Sequence, residues 1–213
     1  MNYSEIRDEA RSYLEGYWKQ LALVWFYFLF GAWLLSYGLS FYFRYTFLIY
    51  LVIIGPFALG VSNLFLKIYR RETFEVKELL EVLPEFFRAM KAFLLIVFYV
   101  IAWSILLIVP GIVEALSLSM TFFIMAEEPE ITPEAAVKKS RELMKGNKKD
   151  LFYLTLSFIG WILLAFFICG LGFLLLNSYV GIAYLLFYKR IVREKESWKK
   201  KKLTGKSIVI EGW

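Results

Sequence analysis

Apolar residues in this chain run in long unbroken stretches, and between them charged and apolar positions interleave at helical spacing. From Leu21 to Phe43 no charge occurs in 23 positions, and Thr46 to Leu66, Ala92 to Val113 and Leu151 to Tyr188 are likewise uncharged. A bilayer core about 30 Å thick takes roughly 20 apolar residues of helix, so these runs predict spans, the longer ones more than one. Pro110-Gly111 interrupts one long run and Gly170-Leu171-Gly172 the other, and such pairs end helices and turn chains. Six helices follow: Leu21 to Phe43, Thr46 to Ile68, Ala92 to Val109, Ile112 to Ala126, Leu151 to Cys169 and Gly172 to Ile191. The alternative at Pro110-Gly111 is one long kinked helix, since Ile112 to Ala126 is short for a span.

The interleaved segments predict three amphipathic helices. In the first, Ile6, Ala10, Tyr13, Leu14 and Tyr17 share a face, while Arg7, Asp8, Arg11 and Glu15 point elsewhere. Val76, Leu79, Leu80, Leu83, Phe86, Phe87 and Met90 form the second stripe, opposed by Glu75, Glu78, Glu81, Glu85 and Arg88. The acidic face is expected to meet Lys138, Lys139 or Arg141. The third helix carries Ala136, Val137, Ser140, Leu143 and Met144 on one side, with Thr132 suited to the N-cap and Pro133 to the first turn.

Two of these segments end alike: RSYLEGYWKQL at Arg11 to Leu21 and RELMKGNKKDL at Arg141 to Leu151. Gly16 and Gly146 suit a left-handed helix stop, after which Lys19 and Lys149 mark the headgroup level. Each stretch is expected to be a corner between a surface helix and a span.

Charge sets the sidedness. Of 25 Lys and Arg, 24 fall in the N-terminal segment, the two long links and the tail, and only Arg44 falls on the other side. Cytoplasmic loops accumulate positive charge, so both termini are expected in the cytoplasm, and an odd number of spans would have scattered the basic residues. The first 20 residues mix acidic with basic groups and the following run is long for a signal core, so the first span is expected to stay attached. Composition agrees, with 60% hydrophobic and 20% aromatic residues. The single Cys169 reads as a small buried side chain.

The run from Glu128 through Tyr188, EPEITPEAAVKKSRELMKGNKKDLFYLTLSFIGWILL followed by GLG and AYLLFY, resembles the prokaryotic integral membrane family catalogued as domain of unknown function 975. The opening EIRDEARSYLEGYWKQLAL and the VPG before the fourth helix fit it too, so the resemblance reaches to about Arg193. It implies a polytopic membrane protein, distantly like the membrane portions of some glycerophosphodiester phosphodiesterases, and brings no catalytic residues. Where such proteins usually carry Pro-Tyr in the last span, this chain has Ser178-Tyr179, so the kink that proline would make has no source here.

Candidate chemistry is sparse. With no His, Ser-His and Cys-His nucleophile systems and His-liganded metals are excluded. Asp8 and Asp150 are the only aspartates, both expected at the surface, and Gly205-Lys206-Ser207 lacks the earlier Gly of a phosphate loop. Glu114, three residues past Pro110-Gly111, is either a solvated interfacial carboxylate or a contact for substrate or cation. Asn63 and Asn177 either hydrogen-bond neighbouring helices or serve transport, and Pro56 should kink its span. The run Lys199, Lys200, Lys201 and Lys202 reads as a topology anchor, an anionic-lipid contact or, least favoured, a nucleic-acid contact.

The sequence thus predicts an all-α polytopic membrane bundle of six transmembrane helices with three cytoplasmic amphipathic surface helices. Its membrane domain covers 1–193 in three units, about 1–71, 72–128 and 129–193, and a basic cytoplasmic tail covers 194–213. The expected role is a non-enzymatic module of the cell membrane, without cofactor or metal, that binds lipid, including anionic lipid, or a protein partner at its cytoplasmic face. The alternative is a small-molecule transporter or channel with a cavity near Pro56, Glu114 and Asn177.

Overall fold

The computed structural model describes residues 3–38, 46–167 and 172–210, and these are helical with no strand among them. In chain order they form α1 (Tyr3–Leu14), α2 (Trp18–Gly38), α3 (Thr46–Tyr69), a 3₁₀ segment (Val76–Glu85), α4 (Phe86–Leu106), α5 (Ile108–Leu118) and α6 (Thr121–Glu127). They continue as α7 (Pro133–Met144), α8 (Lys148–Leu156), α9 (Ile159–Phe167) and α10 (Gly172–Ile210). The expected ends at Phe43 and Cys169 lie outside the described residues.

Among the described residues, four stretches are long and apolar enough to cross a membrane: Leu51–Tyr69, Val76–Leu106, Ile108–Glu127 and Gly172–Trp198. Six were expected, and neither α2 nor the Leu151 to Cys169 run is among these four. The Leu151 to Cys169 run is not one rod, because a turn at Ser157 and Phe158 divides α8 from α9, with the Ser157 hydroxyl donating to the Leu154 carbonyl at 2.7 Å. Such local back-bonding competes with the helical ladder and marks its interruption.

Two further expectations are revised. The break in the 92–126 run falls at Leu107, whose φ of −163° and ψ of 147° are extended, and not at Pro110-Gly111. Pro110 sits in the first turn of α5, where its missing N–H costs nothing, so it starts a helix there. The turn still makes a tight hairpin: a Cβ on Gly111 would collide with Ser104 of α4.

The second amphipathic segment is 3₁₀ over Val76–Glu85, not α. With three residues per turn, Val76, Leu79 and Val82 share one ridge, and this ridge packs inward. Leu80 and Leu83 fall on another and stand 63% and 61% exposed, with Phe87 after them at 76%. The expected single stripe is therefore two, and Val82, absent from it, is the buried residue. Pro84 cannot donate to the carbonyl four residues back, which disfavours an α-helix here.

The other two segments match their pattern. Ile6, Ala10 and Leu14 of α1 are fully buried, as are Ala136, Ser140 and Met144 of α7. Thr132 caps α7 by accepting from the Ala135 amide at 3.3 Å, ahead of Pro133. Together with Leu59, Leu64 and Ile68 of α3, Ile124 of α6 and Leu185 to Tyr188 of α10, they form the core. By contrast α2 turns Phe26, Phe30, Trp33 and Tyr37 outward, and α4 does so with Phe98, Ile101 and Ile105. An exposed apolar surface of this extent suits contact with lipid.

Candidate functional site

Gly16 and Gly146 hold φ of +92° and +87°, the left-handed conformation expected of them. The hydrogen bonds around them also repeat. Tyr17 N donates to Leu14 O at 2.9 Å and Leu21 N to Tyr17 O at 3.0 Å, while Asn147 N donates to Met144 O and Leu151 N to Asn147 O, each at 3.1 Å. The repeated stretch is thus one corner built twice, joining α1 to α2 and α7 to α8.

Each polar segment packs against the helices of the preceding sequence unit, and the first packs against the last. α1 lies on α10, the 3₁₀ segment on α3, and α7 on α4, α5 and α6. Polar contacts fasten each of the three. Glu9 pairs with Arg190 at 2.6 Å and the Tyr179 hydroxyl donates to Arg7 O at 3.1 Å. Lys67 of α3 reaches Glu78 at 2.5 Å and Glu81 at 3.5 Å. On α7, Glu134 pairs with Lys91 at 2.6 Å, Lys139 with Glu128, and the Ser140 hydroxyl donates to Ser117 O at 2.7 Å. The Lys91 ammonium holds the Glu134 carboxyl below the usual glutamate range.

These partners correct the expected meeting of Glu75, Glu78, Glu81 and Glu85 with the basic face of α7. Glu75 pairs with Lys77 and Glu85 with Arg88, both within the same stretch, and Glu78 and Glu81 are taken by Lys67. The 3₁₀ turn places Glu78 and Glu81 on one ridge facing α3.

Arg141 instead pairs with Glu114. Its Nη2 lies 2.6 Å and its Nε 2.7 Å from the same carboxylate oxygen, and its guanidinium stands 4.0 Å from the centre of the Tyr99 ring. The Glu114 side chain keeps 13% exposure, so the carboxylate expected near the interface is held in an ion pair and largely covered. Sequence reasoning named both partners without connecting them, since 27 positions and a change of element separate them.

Other candidates are dispersed. Asn63 is half-buried on α3 and Asn177 is exposed on α10. A cavity of about 420 Å³ lies between α1, the start of α2, α9 and the first turns of α10, and none of Pro56, Glu114 or Asn177 lines it. Ser178, at the position of the expected proline, bonds back to Leu174 O at 3.3 Å and accepts from Trp25 Nε1 at 3.1 Å within an unbroken helix. The side chains of Lys199, Lys200, Lys201 and Lys202 lie outside the described residues.

The arrangement defines an all-helical protein whose apolar helices are compatible with a membrane protein. A model of the family described as Protein of unknown function (DUF975) matches residues 1–120 and 105–195, and the chain belongs to that family. Searches of curated proteins and of solved structures gave no match, and the likeness to glycerophosphodiester phosphodiesterases gains no support from them.

Proposed function

We propose that the protein is a non-enzymatic, six-span module of the cell membrane with both termini in the cytoplasm, which gathers anionic lipid or a protein partner at its cytoplasmic face. The observation that supports this reading is the fastening of all three polar segments to the helices of the neighbouring unit by ion pairs and hydrogen bonds. These contacts hold the polar segments in place, and a basic surface there would attract anionic headgroups at about 1 kcal/mol per Lys or Arg. In the six-span count, α2 and the bent α8–α9 pair complete the set.

Reporter fusions test the topology. Fusions at Arg71 and Trp213 are expected to read as cytoplasmic and one after Leu171 as external; a cytoplasmic signal after Leu171 refutes six spans. For the function, lipid co-purifying with the protein in mild detergent should be enriched in phosphatidylglycerol over the source membrane. Changing Lys199–Lys202 together to Gln should reduce that enrichment, and lipid recovered in bulk proportion would overturn the lipid reading.

A further inference from the structure

The cavity beside α1 has a charged wall and an apolar one. Arg7, Asp8 and Arg11, at i, i+1 and i+4, supply the charge. The opposite side is Trp161 and Ala165 of α9 with Gly172, Leu175 and Leu176 of α10, while Trp18 and Tyr179 complete the lining. Its volume of about 420 Å³ falls within the range of roughly 300–1,000 Å³ found for small-ligand sites.

The two arginines stand out by their partners. Glu9, on the same helix, is matched to Arg190, yet no carboxylate lies within ion-pair distance of Arg7 or Arg11 among the described residues. Arg7 spends one nitrogen on the Ser157 carbonyl at 3.2 Å, which orients its guanidinium and leaves further donors unused. Asp8 is exposed and offsets part of the charge, leaving a net excess of one positive charge on this wall. Tyr179 cannot serve as a further donor there, because its hydroxyl is given to Arg7 O.

We propose that this cavity is a binding site for an anionic amphiphile, a single acidic lipid whose phosphate meets Arg7 and Arg11 while an acyl chain lies along Trp161, Leu175 and Leu176. The proposal rests on the reading of a lipid-binding membrane module and gives it a specific seat apart from the tail. Two guanidinium groups recognise a phosphate through charge-assisted hydrogen bonds. Each methylene withdrawn from water against the apolar wall adds to retention. A phosphate without a chain would satisfy only the charged side, so a free phosphate ester should bind poorly.

The test is native mass spectrometry of the full-length protein in detergent, with dioleoyl phosphatidylglycerol, dioleoyl phosphatidylcholine or glycerol 3-phosphate added. One phosphatidylglycerol should be retained per chain, with little phosphatidylcholine or glycerol 3-phosphate. Arg7→Gln with Arg11→Gln should lower retention roughly tenfold, as expected when charged hydrogen bonds are lost. Asp8→Asn should raise it. Leu175→Trp, at an exposed position, should obstruct the chain while both arginines remain, and an unchanged melting temperature would show that the fold persists. The Lys199–Lys202 change should leave this single lipid in place. Retention indifferent to Arg7, Arg11 and Leu175 overturns the cavity assignment, even where bulk enrichment through the tail persists. Equal retention of phosphatidylcholine overturns the anionic preference. Binding of glycerol 3-phosphate as tight as that of the lipid would show a phosphate site without a chain seat, and would overturn the proposal too.

Discussion

The hydroxyl of Tyr179 on α10 donates to the carbonyl of Arg7 on α1 at 3.1 Å, across 172 positions of sequence. Together with Glu9–Arg190, this contact fastens the first polar segment to the last helix, just as the other two segments are fastened to the helices before them. The first helix of the chain is thus joined to the last by two polar contacts.

Tyr179→Phe removes that donor without changing the ring that packs against Phe158 and Trp161. A loss of about 0.5–1.5 kcal/mol is expected, as for an ordinary hydrogen bond. Hydrogen exchange should rise first in Tyr3–Leu14 and little in α7, because the 3₁₀ segment and α7 are held by other partners. A uniform rise across the chain would contradict the independence of the three clasps.

Gly16→Val and Gly146→Val should each destabilise the protein by roughly 1–2 kcal/mol, the cost of a left-handed backbone for a residue with a Cβ. Nothing lies within 4 Å of a Cβ at either position, so the loss is one of backbone conformation and not of a clash. Ala should cost less than Val at both. Melting of the four variants in detergent checks this, and a harmless Val at either site would be inconsistent with the observed φ values.

Arg141→Met strands the Glu114 carboxylate, and its cost should lie between the roughly 1 kcal/mol of an exposed pair and the roughly 3–5 kcal/mol of a buried one. Glu114→Gln on top of Arg141→Met should restore much of the loss, since no charge is then left without a partner. A double-mutant cycle measures the coupling. Additive losses would mean that the two side chains do not interact in solution.

Glu134 carries a pH dependence whose sign follows from its lowered pKa. A carboxyl held below its unfolded value by Lys91 stabilises the fold above that unfolded value, and the contribution is lost as pH falls through the lowered one. Lys91→Met should move the Glu134 titration, followed by carboxyl NMR, back up toward the ordinary range. Stability should then fall less on acidification than in the parent protein.

The corners were legible because glycine at a helix end has few other uses and because the chain repeats them, so Gly16 and Gly146 could be assigned a backbone conformation from composition alone. The position of the α4–α5 turn was not. Proline signals a break in a run of apolar residues, but the same residue is welcome in the first turn of the next helix, so the break itself fell to Leu107, which carries no turn signal. The 3₁₀ segment escaped for a related reason: apolar residues at Val76, Leu79, Leu80 and Leu83 satisfy a period of 3.6 as well as one of 3, and the choice was decided by packing against Gly60 and by Pro84. Pairings such as Arg141–Glu114 depend on which helices become neighbours, and no local pattern records that.

The apolar turn at Leu107 bears on the thickness of the surrounding lipid. Between Lys91 and that turn α4 has only 15 uncharged helical residues, Ala92 to Leu106, or about 22 Å of helix against a hydrocarbon core of about 30 Å. Ile105 to Val109 cap this short hairpin with exposed aliphatic side chains that gain little from a headgroup layer, and the Glu114–Arg141 pair sits only about two helical turns behind them. In a bilayer of ordinary thickness the two leaflets have to draw together around this hairpin, or its tip stops inside the acyl chains. In the first arrangement the bilayer is thinned locally, and the protein should then partition toward thinner bilayers than its longer helix α3 would select by itself.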